Sequence, residues 1–321
     1  MNLTLYISES NMAAYSNPAD LRPDWKLTHC VWNDDEIVAS NPDALIVDAI
    51  TPVTAELIAK LPNLKLIHSQ GVAFDRIDCQ AAKERGIYVC NNAGVNAVAV
   101  AEHGVMLILA TLRKLVESQE AVFAGKQEAY KLACFGNSPD ELYGKKVGII
   151  GFGAIGRELA KRLAAFGCEL YYNDVFRAKD ESLATYMERD DILKQCDIIS
   201  LHVPVLPSTE KMINDETLAM MKDDAILLNT ARGALIDDEA VKRALTEGRL
   251  GAYVTDTLYP EPVTLDNPLL NLEPQARTRV VYTPHTAGLT SGSFKRTYRN
   301  IWTNVALVED GQRPNFVVNG L

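Results

Sequence analysis

The sequence predicts an α/β protein made of two doubly wound parallel-sheet domains with a cleft between them. Three observations carry this. Apolar runs of strand length alternate with stretches of helical spacing along most of the chain, which is how parallel strands joined by right-handed helical crossovers read. Several of those runs, Ala44-Leu-Ile-Val-Asp and Ala225-Ile-Leu-Leu-Asn among them, are apolar at successive positions, as in strands buried on both faces. The glycine-rich turn Gly151-Phe-Gly-Ala-Ile-Gly stands between such a strand and a helix. The chain has 321 residues, 47% of them apolar, enough for two cores of ordinary size. The expected division is residues 1–95 with 287–321 as one discontinuous domain and 96–286 as the other.

In order along the chain, Leu3 to Ile7 reads as a short strand, and Glu9 to Trp32, with Pro18 and Pro23, as irregular. A strand over Ala44 to Asp48, a helix over Thr54 to Lys60 and a strand over Leu64 to His68 follow. The loop Ser69-Gln-Gly-Val-Ala-Phe-Asp leads to a short helix, Cys79 to Arg85, closed by Gly86, and then to the strand Ile87 to Cys90. Asn96 to Val116 reads as a long helix, apolar nearly all round, so it should be buried between domains or between subunits. Glu117 to Gly144 is more polar, with a loop at Asn137-Ser-Pro-Asp. A second α/β series starts at Lys146. Its strands are Val147–Ile150, Glu169–Asn173, Asp197–Leu201, Ala225–Asn229, Ala252–Asp256 and the run ending at His285. Its helices cover Ala154–Phe166, Asp190–Gln195, Asn214–Met221 and Asp237–Glu247, the last opened by acids and ended by Gly248. Ser293 to Glu309 is an amphipathic helix expected to return to the first unit.

The glycine turn has a physical reading. Gly151 permits a tight turn, Gly153 lets backbone approach a pyrophosphate, and Gly156 lets the helix lie close to the strand. The helix start, at Ala154 and Ile155, aims free N–H groups and the positive end of the helix dipole at phosphate. The helix should bury Ile155, Leu159, Leu163 and Phe166. The next strand ends at Asp174. There a carboxylate can accept both ribose hydroxyls of NAD and repel the 2′-phosphate of NADP, or be a solvated strand-end acid. Arg177 could meet a 2′-phosphate if its loop folded inward. The combination predicts a Rossmann-like NAD-binding domain, with NADP less favoured.

A formal net charge of −10 argues against nucleic acid or an acidic membrane surface as the main partner. The amino-terminal residues do not read as a signal peptide, and the apolar stretch near Val95 to Leu112 is broken by Asn96, Glu102 and His103, so no membrane span is expected. Six cysteines without C-x-x-C or zinc spacing read as reduced thiols of a cytoplasmic protein with no metal site.

Ligands of open parallel sheets bind beyond the carboxyl ends of strands. Arg232, Asp256 and His285 each follow a strand, so all three should face the crevice of the glycine turn. Arg232 offers a fork of donors suited to a carboxylate. His285 can hold or release a proton near neutral pH, and Glu261, between Pro260 and Pro262, could pair with it. Arg232 as a loop tie is the lesser reading because it follows a buried strand and precedes Gly233; singly, His285 reads more readily as a structural imidazole and Glu261 as a solvated acid, and spacing alone does not bring the three together. His29, His68 and His103 show no partner pattern and read as structural or surface residues.

The succession Gly-Phe-Gly-Ala-Ile-Gly, His202-Val-Pro, Asn229-Thr-Ala-Arg-Gly-Ala-Leu-Ile-Asp, Asp256 with Glu261-Pro262, and Thr283-Pro-His285-Thr-Ala-Gly resembles the D-isomer-specific 2-hydroxyacid dehydrogenase family. The resemblance runs from about Leu64 to Gly288 and is strongest from Gly144 onward. It implies reversible reduction of a small 2-keto acid to the D-2-hydroxy acid by NADH. By the resemblance, Arg232 binds the substrate carboxylate, His285 is the acid in reduction and the base in oxidation, and Glu261 orients His285. Asp256 would lie at the nicotinamide carboxamide. His202, Val203, Pro204, Thr230 and Ala231, with Arg232 and His285, would line the cofactor. Val72 and Ala73 match the loop that holds the carboxylate, and the helix from Asn96 fits dimerisation through the cofactor domain.

Two features depart from the family pattern: Ala73 where glycine is frequent, and Thr257-Leu258-Tyr259 in place of a valine–phenylalanine start. They leave the substrate side chain open. The resemblance also admits a dehydrogenase of another small anion, formate or phosphite, although Glu261 disfavours the formate type. It further admits a nicotinamide-sensing binding protein related to transcriptional corepressors, which the lack of extra tails disfavours.

Overall fold

The computed structural model describes every residue except Val31, Trp32, Ala49 and Ile50. The chain forms two units, Met1–Asn96 with Leu289–Leu321, and Ala97–Gly288. The first carries strands β1 (Asn2–Tyr6), β2 (Lys26–His29), β3 (Ala44–Val47), β4 (Leu66–Ser69) and β5 (Tyr88–Cys90). They form one sheet in the order β2-β1-β3-β4-β5, each pair parallel. β3 and β4 are buried at every position, as their unbroken apolar runs require. Short helices start on side-chain caps: Thr54 accepts from Leu57 N–H and Asp78 from Ala81 N–H.

The helix Ser291–Glu309 completes this unit. Tyr298, Ile301, Trp302, Val305 and Val308 recur at helical spacing and pack with Leu3, Leu5, Trp25, Ala44, Ile46 and Leu66. Burial of each large side chain contributes about 1.5–3 kcal/mol. Glu309 fastens the far end by accepting from the amino-terminal Met1, from Arg22 and from Trp25 Nε1.

The second unit carries β6 (Lys146–Ile150), β7 (Glu169–Asn173), β8 (Thr185–Tyr186), β9 (Ile198–Leu201), β10 (Ile226–Asn229), β11 (Ala252–Thr255) and β12 (Val280–Tyr282). Their order is β12-β11-β10-β9-β6-β7-β8, again all parallel. Chain order reverses between β6 and β9, which is where an open α/β sheet leaves a crevice at its carboxyl edge. Among the described residues no helix is long and apolar enough to cross a membrane.

Several elements differ from the sequence expectation. The stretch from Glu9, expected to be irregular, holds the helix Glu9–Tyr15, capped by Ser8, and the edge strand β2. That helix buries no residue and β2 only half-covers alternate ones, so neither leaves an apolar stripe. The last two residues of the stretch, Val31 and Trp32, lie outside the described residues. The long helix is shorter, Ala97–Leu112; Lys114 turns left-handed at φ +50, and further helices Leu115–Phe123 and Gln127–Ala133 follow. Its burial has a cause inside its own unit. It packs on the helix Ala154–Ala165, and a β-carbon at Gly104 would lie 3.3 Å from Leu228 and 3.6 Å from Leu159. In the helix Ala154–Ala165 the buried residues are Gly156, Leu159, Ala160 and Leu163, while Ile155 is half-buried and Phe166 exposed.

His68, in β4, is neither a surface residue nor unpartnered. It is fully buried; Nε2 accepts from Asn304 Nδ2 at 3.0 Å, which leaves Nδ1 protonated and donating to Ser69 O at 2.9 Å. Burial pushes its pKa down from 6.5 to about 4. The unfolded chain takes up this proton near pH 6.5 and the folded one only near 4. The stabilisation is therefore complete above about pH 6.5 and lost as pH falls through 4, on the order of 3 kcal/mol in all. The described tryptophans, Trp25 and Trp302, belong to the first unit. Urea unfolding followed by tryptophan fluorescence should show this loss between pH 6.5 and 4, and a His68→Gln variant should lack that part of it.

Candidate active site

The register of the second sheet aligns its strand ends. Asn173 pairs with Ile150, Ile150 with Leu201, Leu201 with Asn229, Asn229 with Thr255, and Thr255 with Tyr282. The next residues, Asp174, Gly151, His202, Thr230, Asp256 and Thr283, thus leave parallel strands at one level. This row is the carboxyl edge of the sheet, where such folds hold ligands.

The glycine turn is built as its spacing suggests. Gly151 has φ +96, and a β-carbon there would lie 2.5 Å from His202 O. One at Gly156 would lie 2.3 Å from Gly151 O. At Gly153 a β-carbon would meet no atom within 4 Å, so this position borders open space, a cradle that a side chain would fill. Ala154 and Ile155 open the helix behind it, whose first-turn N–H groups lack intrahelical acceptors. Asp174 is tied to the turn: Oδ2 accepts from Phe152 N–H at 2.6 Å and Oδ1 from Phe176 N–H at 3.0 Å. A carboxylate has about four lone-pair sites, so two remain. Arg177 is turned to Glu181, with Nε–Oε1 at 2.5 Å, and stacks 5.0 Å over Tyr186. These features fit a dinucleotide: an open backbone cradle, a helix start behind it, and an acid at the next strand end.

His202 accompanies the turn. Its N–H donates to Ile150 O at 2.7 Å, its Nε2 lies 2.7 Å from Ser200 Oγ, and its Nδ1 is buried with no partner among the described residues. Burial pushes its pKa to about 4, so it is neutral in ordinary buffers. Val203 packs against Gly151 and Pro204 is exposed. Thr230 is 7% exposed, and its Oγ1 likewise has no partner among the described residues. Ala231 N–H donates to Asn229 Oδ1 at 3.1 Å.

Arg232 is exposed just beyond β10. One guanidinium N–H returns to Ala231 O at 2.7 Å, and its own carbonyl accepts from Asn229 Nδ2 at 2.9 Å. The following Gly233 packs so closely that a β-carbon would lie 2.5 Å from Leu258 C and 2.6 Å from Tyr259 N. That contact sets the Arg232 turn beside the segment that leads to Glu261.

Asp256 is 1% exposed and acts as a template. Its Oδ1 accepts from Thr283 Oγ1 at 2.5 Å and from Thr286 N–H at 3.0 Å; Oδ2 accepts from Ala287 N–H at 2.8 Å. Its carbonyl accepts from His285 N–H at 2.8 Å, and Thr255 O accepts from Thr283 N–H at 3.0 Å. Every N–H from 283 to 287 therefore ends on Thr255 or Asp256, since Pro284 has none. The loop places His285 at φ +56, a left-handed conformation that costs a non-glycine residue roughly 1–2 kcal/mol. His285 Nδ1 meets Glu261 Oε1 in a short hydrogen bond. Nε2 then faces no described partner, and both side chains are reachable from solvent.

In the first unit the loop after β4 has its own pattern of satisfied carbonyls and unused amides. Ser69 O accepts from Asn92 Nδ2 and His68 Nδ1, Gln70 O from Asn92 Nδ2, and Gly71 O from Asn92 N–H. Val72 O accepts from Asn91 Nδ2 at 2.7 Å and Ala73 O from Ser69 Oγ at 2.7 Å. The carbonyls are thus held inward, while the Val72 and Ala73 N–H groups donate to no described residue. Backbone turned this way suits an anion.

Within the second unit the structure gathers Gly151, Gly153, Gly156, Asp174, His202, Thr230, Ala231, Arg232, Asp256, Glu261 and His285 at one edge of one sheet. Asp256 is sealed under the loop it holds, and that is the role its contacts display. The scaffolding residues Asn91, Asn92 and Ser69 gave no sequence signal, and of the two readings open for His103 the structural one holds, with partners that the sequence did not indicate. That imidazole is 16% exposed, with Nε2 2.9 Å from Thr283 Oγ1 and 3.6 Å from Asp256 Oδ1. Its partners are remote in sequence, so no spacing could have indicated them.

Comparison with known proteins identifies the family. Residues 105–287 match the family "D-isomer specific 2-hydroxyacid dehydrogenase, NAD binding domain". A hydroxypyruvate reductase of Thermotoga maritima is 40% identical over 266 residues, 82% of this chain and 84% of that protein. A glyoxylate reductase of Thermofilum pendens is 38% identical over 281 residues, 86% of this chain and 81% of that protein. The NAD-complexed D-isomer specific 2-hydroxyacid dehydrogenase of Lactobacillus delbrueckii ssp. bulgaricus superposes with a TM-score of 0.85 at 27% identity, covering 99% of this chain and all of the other.

Proposed function

The chain belongs to the D-isomer-specific 2-hydroxyacid dehydrogenase family and is an NAD-dependent oxidoreductase; from that premise we propose that it reversibly reduces a small 2-keto acid to the D-2-hydroxy acid with a proton from His285. The observation that carries this reading is the Glu261–His285 pair beside the Arg232 turn, on the sheet edge that also bears the glycine turn. When bound, NADH supplies the hydride that C2 of the keto acid receives. Arg232 takes the substrate carboxylate through its fork and draws electron density from the neighbouring keto oxygen. His285 Nε2–H gives its proton to that oxygen as the alcohol forms and regains it from the alcohol in the reverse direction. Glu261 accepts from Nδ1–H, which fixes the ring and stabilises the imidazolium. The Val72 and Ala73 amides, in the first unit, donate to no described residue and suit an anion at their own loop. The names of the relatives suggest hydroxypyruvate and glyoxylate as first substrates to try. Decay of NADH absorbance across a panel of 2-keto acids tests the reading; no decay with any of them would refute it.

Cofactor choice rests on Asp174. Its remaining lone pairs can accept ribose hydroxyls and its charge opposes a 2′-phosphate, while Arg177 is engaged by Glu181. Asp174→Asn is expected to shift the NADPH-to-NADH ratio of kcat/KM upward by roughly tenfold, a difference of about 1.4 kcal/mol. An unchanged ratio would remove Asp174 from cofactor selection.

We also propose a homodimer formed through the second unit. Leu115, Val116, Val122, Phe123, Leu132 and Phe135, on and beside the two helices after Lys114, are each more than half exposed. The six free cysteines fit a reducing compartment such as the cytoplasm.

A further inference from the structure

We propose that His103 is a positioning residue for the proton-transfer loop, acting as an Nε2–H donor that orients the Thr283 hydroxyl onto Asp256. The inference rests on the reading of His285 as the proton donor. Thr283 Oγ1 lies 2.5 Å from Asp256 Oδ1 and 2.9 Å from His103 Nε2. A hydroxyl has one hydrogen, and an ionised carboxylate only accepts. The Thr283 hydrogen must therefore point to Asp256, and the hydrogen between His103 and Thr283 must come from the imidazole. The chain of donors runs His103 Nε2–H to Thr283 O–H to Asp256 carboxylate.

The direction matters because of what Asp256 holds. The same Oδ1 accepts from Thr286 N–H, Oδ2 accepts from Ala287 N–H, and the Asp256 carbonyl accepts from His285 N–H. These bonds hold His285 in a left-handed conformation that non-glycine residues adopt uncommonly. His103 lies in the helix Ala97–Leu112, which is packed against the unit's own sheet and neighbouring helix. Desolvation lowers the His103 pKa although Asp256 opposes the shift, in keeping with a neutral donor. The helix thereby fixes the loop through a side-chain bond, and His103 acts on the reaction without touching substrate.

The test uses the full chain with His103→Leu, His103→Gln and Thr283→Val, the double variant His103→Leu/Thr283→Val, and His285→Gln as control. Steady-state reduction of the best keto acid is paired with direct fluorescence titration of NADH, which also reports a folded cofactor unit. His103→Leu should lower kcat roughly tenfold with the NADH dissociation constant held within about twofold, because a small misplacement of the acid slows proton transfer. His103→Gln, which keeps an N–H donor, should recover most of the loss. Thr283→Val should match His103→Leu, and the double variant should lose no more than either. Imidazole nitrogen NMR of the free protein should show His103 as the Nε2–H tautomer. A Gln variant as slow as the Leu variant, losses that multiply in the double variant, or the Nδ1–H tautomer would each overturn the proposal while leaving His285 as the acid. Undiminished activity of His285→Gln would overturn both.

Discussion

His285→Gln should lower kcat by about a thousandfold while the dissociation constant for NADH stays within roughly twofold, as general acid–base catalysis is worth about 10²–10⁴. Glutamine can still donate to Glu261, so the short contact at Nδ1 has a neutral replacement and the loop keeps its bonds to Asp256. What it lacks is an exchangeable proton of suitable acidity. The keto oxygen would then have to take its proton from water. Single-turnover reduction should be slowed as much as steady-state turnover, because the loss lies in the chemical step. If NADH binding fell in parallel with kcat, His285 would be scaffolding and the proton would have another source.

Arg232→Lys should reduce kcat/KM for the keto acid by about 10²–10³, with the larger share in kcat. The ammonium keeps the charge and loses the planar fork. In the structure one guanidinium N–H is already engaged by Ala231 O, and the rest of the fork is turned outward. A lysine that made this backbone contact would have little left for a carboxylate and nothing flat to set beside a keto oxygen. The turn itself should survive, since Asn229 and Gly233 hold it through backbone contacts. A variant with unchanged kcat and KM would take Arg232 out of substrate binding. One that simply bound NADH less well would make it a cofactor residue.

The glycine turn was legible because its requirements are local. Gly151 and Gly156 answer to atoms within the turn or at a neighbouring strand end, Gly153 borders open space, and the pattern of strand, turn and helix is written contiguously. Arg232, Glu261 and His285 were legible as residue types at strand ends. Their meeting was not, because Glu261 and His285 come together only through the pairing of β11 with β12. His103 lay beyond reading for the same reason in a stronger form: its partner Thr283 is 180 positions away. Two of the elements that went unread, Glu9–Tyr15 and β2, face solvent over much of their surface and so carry no periodic apolar signal. The carbonyl accounting of the loop after β4 depends on Asn91 and Asn92, whose side chains could equally have met water.

The first unit is assembled from two separated stretches, and this bears on how the chain is made. As the polypeptide leaves the ribosome, β1 to β5 emerge first, yet the cluster of Leu3, Leu5 and Trp25 is completed by Tyr298, Ile301 and Trp302. The second unit, continuous from Ala97 to Gly288, is fully synthesised before that covering exists. The half begun earliest is thus the half finished last, and a nascent chain halted before the final helix would expose a greasy sheet to whatever chaperones wait at the exit tunnel.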